Sequence, residues 1–257
     1  HKSNGVHVSS VDQTSGAILR RTAPKFRLSE RSAAFLAEFY PDATRDNWND
    51  WRWQNRNRVR TLADLARMIE LSDEESEAIK RHTGALPVGI TPYYASLLDQ
   101  KNASQGLRRT IVPVLGEYLT SRGENEDPLG EDTHSPVPGL VHRYPDRVLL
   151  LVTNFCSVYC RYCTRARMVG AAGERSVRKG DIEQALDYIE RTQAVRDVLI
   201  SGGDPLSLDD DRLEYILKRL QKIRHVEFIR IGSKQPVVQP MRITPELTRI
   251  LKRCHPL

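Results

Sequence analysis

The chain has 257 residues, 39% of them hydrophobic, with 39 basic against 33 acidic side chains for a net charge of +6. That is enough for one large or two small domains with a real core, and no apolar stretch is long enough to span a membrane. The basic excess favours anionic partners without selecting one; nucleic acid fits poorly, because the basic residues are scattered and the tryptophans form one N-terminal cluster. The polar start has no hydrophobic signal region, and four cysteines, three of them clustered, suit a reducing compartment, so a cytoplasmic protein is expected.

Residues 1–139 read as an interrupted helical region with its linker. Thr61 with Asp64, and Ser72 with Glu75, form capping patterns ahead of short helices, with Leu62, Leu65 and Ile69 at helical spacing. Thr91 followed by Pro92 resembles a cap with proline at the first helical position. The stretch 123–139, rich in Pro, Gly and acidic residues, reads as the linker.

Over 140–257 short apolar runs alternate with amphipathic ones, which predicts βα units on a parallel sheet. Strands are expected over 148–152, 198–200 and 228–231. Helical stripes follow at Ile182, Ala185, Leu186 and Ile189, and at Leu213, Ile216, Leu217 and Leu220. A third helix opens at Thr244 and Pro245, and its stripe of Leu247, Ile250 and Leu251 includes Cys254, which reads as a small core hydrophobe. The chain begins without methionine and stops at Leu257, where another strand is due, so it reads as a fragment.

Just after the first predicted strand come Cys156, Cys160 and Cys163, spaced C-x3-C-x2-C. A loop can curl three such thiolates around one face of an iron–sulfur cluster and leave one metal corner open. The competing readings are an incomplete zinc knuckle, for which no nearby residue supplies a fourth ligand, and free buried cysteines. Gly202 and Gly203 end the second strand, where glycine lets the backbone approach a ligand closely. Asp204 reads as a turn cap.

The cysteine spacing, with Tyr162 before the third cysteine, resembles the signature of the radical S-adenosylmethionine enzymes. Further segments resemble, in order, the lysine 2,3-aminomutase family: WNDWRWQ at 48–54, ITPYY at 90–94, DPLGE at 127–131, SPVPG at 135–139, HRYPDR at 142–147, ISGGDPL at 200–206 and RIGS at 230–233. The resemblance implies an α/β fold in which the N-terminal helical region precedes the first half of a partial (βα)6 TIM-like barrel. It implies a 4Fe-4S cluster on Cys156, Cys160 and Cys163, and S-adenosylmethionine at the open iron, with its amino group at Gly202 and Gly203 and its adenine near Tyr162. Pyridoxal 5′-phosphate is implied at Arg143, Tyr144 and Arg147, and the substrate carboxylate at Arg165. The Schiff-base lysine is expected beyond Leu257; Lys234 does not match that position and reads as a charge at the site rim.

The implied reaction is that of an isomerase: the α-amino group of an amino acid, L-lysine in first place, moves to the β carbon through a 5′-deoxyadenosyl radical and a pyridoxal phosphate imine. The same reaction on glutamate, arginine or a protein-bound lysine is an alternative, as is a radical enzyme without pyridoxal phosphate. A small-molecule amino acid substrate, a reductant such as flavodoxin or ferredoxin, and a homo-oligomer complete the expectation.

Overall fold

The computed structural model describes residues 27–81, 86–170 and 177–255. Among these residues seven short helices come first: α1 (Glu30–Phe39), α2 (Arg45–Asn49), α3 (Trp51–Arg56), α4 (Leu62–Met68), α5 (Asp73–Lys80), α6 (Pro92–Ala95) and α7 (Gly106–Arg109). Helices this short satisfy few of their own backbone groups, so side-chain caps matter. Thr61 accepts from Asp64 N at 3.1 Å and Thr91 from Tyr94 N at 3.2 Å, as the sequence predicts. Before α5 the Ser72 hydroxyl accepts from Glu75 N, while the Glu75 carboxylate accepts from Ser72 N.

The helical region closes over a core that includes Phe35, Trp48, Trp51, Leu65, Ile90 and Tyr94. One ion pair lies inside it. Arg108 and Glu75 are both buried, with Arg108 Nε 2.8 Å from Glu75 Oε1. The Arg108 guanidinium also donates to the carbonyls of Glu70 and Asp99, so few of its donors are left without a partner.

The second region carries strands β1 (Leu140–Tyr144), β2 (Arg147–Thr153), β3 (Asp197–Gly202) and β4 (Phe228–Ile231) in one sheet of order β1-β2-β3-β4. β2, β3 and β4 run parallel, with Val148 opposite Val198 and Val198 opposite Ile229. Helices α8 (Lys179–Arg191) and α9 (Asp210–Gln221) make the crossovers. α10 (Gln235–Val238) and α11 (Pro245–Arg253) follow β4. The predicted helical stripes pack on one face of the sheet against Leu150, Val152 and Ile200, and Cys254 is buried among them.

Three strands are expected and four are found among the described residues. β1 pairs antiparallel with β2 through a tight turn at Pro145 and Asp146. Only Leu140 and Val141 are apolar in it before His142 and Arg143, too short a run for alternation to reveal it. What the strands and helices establish is an α/β sheet with helices; among the described residues the sheet is four strands wide and not closed into a barrel. No helix among them is long and apolar enough to cross a membrane.

Candidate active site

β2 delivers the chain into the cysteine loop, which makes no regular element of its own and is held by the helical region. Tyr159 N donates to Gly89 O at 3.0 Å and Arg161 N to Thr110 O at 2.8 Å. A Cβ on Gly89 would lie 2.6 Å from the Tyr159 ring, so the close approach requires glycine there. Arg58 donates to Cys156 O at 2.6 Å and lies over the Phe155 ring.

The loop's three arginines are all tied back to carboxylates of the helical region and linker. Arg161 forks onto Glu117, Arg165 Nε is 2.9 Å from Glu131 Oε1, and Arg167 reaches both Asp127 and Asp132 at 3.0 Å. Asp127 in turn accepts from the backbone of Glu131 and Asp132, which folds the DPLGE stretch into a compact acidic turn. Sequence reasoning leaves Arg161 and Arg167 without a role; their partners lie 35 to 44 residues away, and no local pattern announces them.

Cys156, Cys160 and Cys163 are free thiols that line one pocket of about 390 Å3, together with Tyr162, Gly202, Gly203 and Lys234. The loops after β2, β3 and β4 therefore meet at the C-terminal ends of the parallel strands, where such sheets bind ligands. Burial pushes the Cys156 and Cys163 thiols above the ordinary range, so metal binding there would have to release protons. Among the described residues no three His, Cys, Asp or Glu side chains are grouped to hold a metal ion. A zinc site needs its ligands to meet at one ion. A cubane does not, because each thiolate holds a different iron, and three thiols facing a common space fit it.

The glycine pair has a packing reason as well. A Cβ on Gly202, whose φ is +120°, would lie 2.3 Å from Thr153 O, and one on Gly203 would lie 2.4 Å from Phe155 O. The pair lets the end of β3 lie against the start of the cysteine loop, so backbone packing by itself requires glycine at both positions. Asp204 caps the following turn, as expected, and does more: its buried carboxylate accepts from Leu206 N, Ser233 Oγ and Lys234 N, bracing the β3 loop to the β4 loop. Burial pushes its carboxyl up, and those hydrogen bonds pull the other way.

Lys234 is the residue whose placement the sequence least foretells. Its Nζ stands 3.1 Å from Cys160 Sγ and 2.6 Å from the Tyr162 hydroxyl. Burial works against its charge, but the hydrogen bonds to Tyr162 and Cys160 outweigh it and hold the pKa at about 12. Tyr162 itself is 63% exposed, at the pocket mouth.

A second pocket, of about 240 Å3, brings together Arg143, Tyr144, Arg147, Arg165 and Arg230 with Glu131. Arg143 donates to Leu129 O, Arg147 lies over the Tyr144 ring, and Arg230 forks onto Asp197 with both bonds at 2.8 Å. Such a guanidinium-rich hollow with an aromatic face suits an anionic, ring-bearing ligand. Arg165 lines both pockets and so marks the wall between them. A larger hollow of about 540 Å3, between α1 and residues 95–101, contains none of these residues.

Residues 150–256 match the Radical SAM superfamily. Over 220 residues, 86% of this chain, the sequence is 51% identical to the L-lysine 2,3-aminomutase of Acetoanaerobium sticklandii and to that of Bacillus subtilis, covering 53% and 46% of those proteins. It is 38% identical to the glutamate 2,3-aminomutase of Clostridioides difficile, over 84% of this chain and 51% of that protein. The chain thus spans about half the length of the curated relatives it matches. With three cysteines around one pocket at the strand ends, residues 150–256 match the Radical SAM superfamily, and over the part it spans the chain is similar, through both regions, to lysine 2,3-aminomutases.

Proposed function

We propose that the protein is a radical S-adenosylmethionine aminomutase, an isomerase that moves an α-amino group to the β carbon, with L-lysine as its substrate. The observation that carries this reading is the adjacency of the two pockets, joined at Arg165. When bound, the cluster and S-adenosylmethionine supply hydrogen-abstracting radical chemistry, and pyridoxal phosphate supplies an aldehyde partner for the amino group.

The chain's own residues divide the work. Cys156, Cys160 and Cys163 hold the cluster, and Gly202, Gly203 and Tyr162 border the space for the nucleoside cofactor. Arg143, Tyr144 and Arg147 take the phosphate and ring of the second cofactor. Arg165 takes the substrate carboxylate; its Nε is already committed to Glu131, which leaves the two terminal nitrogens to face a ligand. No lysine among these residues is assigned to the aldehyde. A flavodoxin or ferredoxin reductant, a homo-oligomeric state and a cytoplasmic location belong to the same proposal.

The glutamate enzyme among the relatives keeps glutamate as the second reading. Anaerobic reconstitution of the full-length protein decides between them. A 4Fe-4S signal that changes on adding S-adenosylmethionine, with β-lysine formed from lysine and no β-glutamate from glutamate, is the expected result. Cys160→Ala removes the signal. Stoichiometric zinc without iron sinks the cluster assignment, and an absorbance unaffected by borohydride sinks the pyridoxal phosphate assignment.

A further inference from the structure

Lys234 sits at the start of α10, directly after the loop that leaves β4, and its approach to the cysteines is fixed from behind. Buried Asp204 accepts the Lys234 backbone N–H at 2.8 Å and the Ser233 hydroxyl at 2.7 Å, so this loop cannot swing away without stripping two bonds from a buried carboxylate. At its far end the ammonium is held from two sides, by Cys160 Sγ at 3.1 Å and by the Tyr162 hydroxyl at 2.6 Å. The side chain is half-buried, which leaves its charge less screened than that of a surface lysine.

We propose that Lys234 sets the reduction potential of the cluster held by Cys156, Cys160 and Cys163, by placing a charged donor on the Cys160 sulfur. The inference rests on the cluster reading above. One-electron reduction of the oxidised cluster by a low-potential donor such as dithionite breaks no bond and adds one negative charge to the cluster and its thiolates. A cation within hydrogen-bond distance of a ligand sulfur stabilises the reduced form more than the oxidised form and raises the potential; hydrogen bonds to the sulfurs and net charge are among the levers that set such potentials. Lys234 is a tuning residue here, acting through Cys160 and not on the substrate.

The test is a potentiometric titration of the reconstituted full-length protein with dithionite, followed by the electron paramagnetic resonance of the reduced cluster. Lys234→Met is expected to move the midpoint to more negative potential at unchanged iron content, and Lys234→Arg, which keeps a charged donor, to stay near the wild-type value. If Lys234→Met does not take up iron, Lys234→Gln, which retains a donor without the charge, is read in its place and is expected to shift the same way. A wild-type midpoint in whichever neutral variant holds the cluster overturns the proposal. So does loss of the cluster from both neutral variants, which would make Lys234 an assembly residue. A wild-type protein without any 4Fe-4S signal fails the cluster reading itself and is told apart by iron analysis.

Discussion

The helical region and the sheet region solve stability in different ways. In the sheet region long amphipathic helices lay continuous apolar stripes on parallel strands, and each of Leu186, Ile200, Leu213 and Leu217 is fully buried. Among the described residues the helical region has no helix longer than ten residues, and it relies on side-chain caps, a tryptophan-rich core and the buried Arg108–Glu75 pair. Where the two meet, Val158, Val238 and Met241 join the helical region's core, and directional polar contacts run beside them. Gln239 donates to Trp51 O and accepts from Ser157, Thr91 donates to Val238 O, and Arg242 is buried with its guanidinium 4.7 Å from the Trp51 ring centre. The cysteine loop lies along this joint. Directional bonds fix position better than apolar contacts do, because each requires one geometry. A site whose parts come from both regions therefore depends on the joint more than on either core.

Four measurements can break or sharpen this contrast. The largest effect is expected from Arg108→Ala, which leaves the Glu75 carboxylate buried without its cation and costs about 3–5 kcal/mol. Urea unfolding followed by tryptophan fluorescence reads it, since all three tryptophans lie in the helical region; a cost below about 1 kcal/mol would remove the ion pair from the account. Leu186→Ala in α8 should cost about 3 kcal/mol through lost burial and the cavity left behind, measured by circular dichroism.

Arg161→Ala addresses the joint. It removes the fork onto Glu117 and the bonds to the Leu86 and Pro87 carbonyls, for a cost of about 1.5–3 kcal/mol. Its expected signature is faster hydrogen exchange in the cysteine loop, with protection of α8 and α9 unchanged; uniform loss of protection would show that the joint is not a separate unit. Thr61→Ala and Thr244→Ala should be the mildest, about 1 kcal/mol each in thermal unfolding, because each removes one cap of the same kind in the two regions. A clearly larger cost for Thr61→Ala would sharpen the contrast by showing that shorter helices lean harder on their caps.

Legibility in the sequence followed the range of the interaction. The three parallel strands, their helices, the caps at Thr61, Ser72, Thr91 and Thr244, and the core position of Cys254 all rest on patterns a few residues long, and the structure places them as read. β1 escaped because its pattern is two apolar residues long. The glycines at 202 and 203 were visible as glycines. Which atoms a Cβ would strike was not, because Thr153 O and Phe155 O belong to a different strand and loop.

By itself the sequence determined the three parallel strands, the helices that follow them with long apolar stripes, the caps, the cysteine spacing and the family likeness, since periodicity, capping and motif order are local properties of the chain. Only the tertiary structure decided that Arg165 stands between two pockets, that acidic residues 117–132 hold the cysteine loop's arginines, and that Lys234 lies on Cys160. The physical reason is distance along the chain. Lys234 and Cys160 are 74 residues apart, and a hydrogen bond across that separation exists only once β2, β3 and β4 have set their loops side by side.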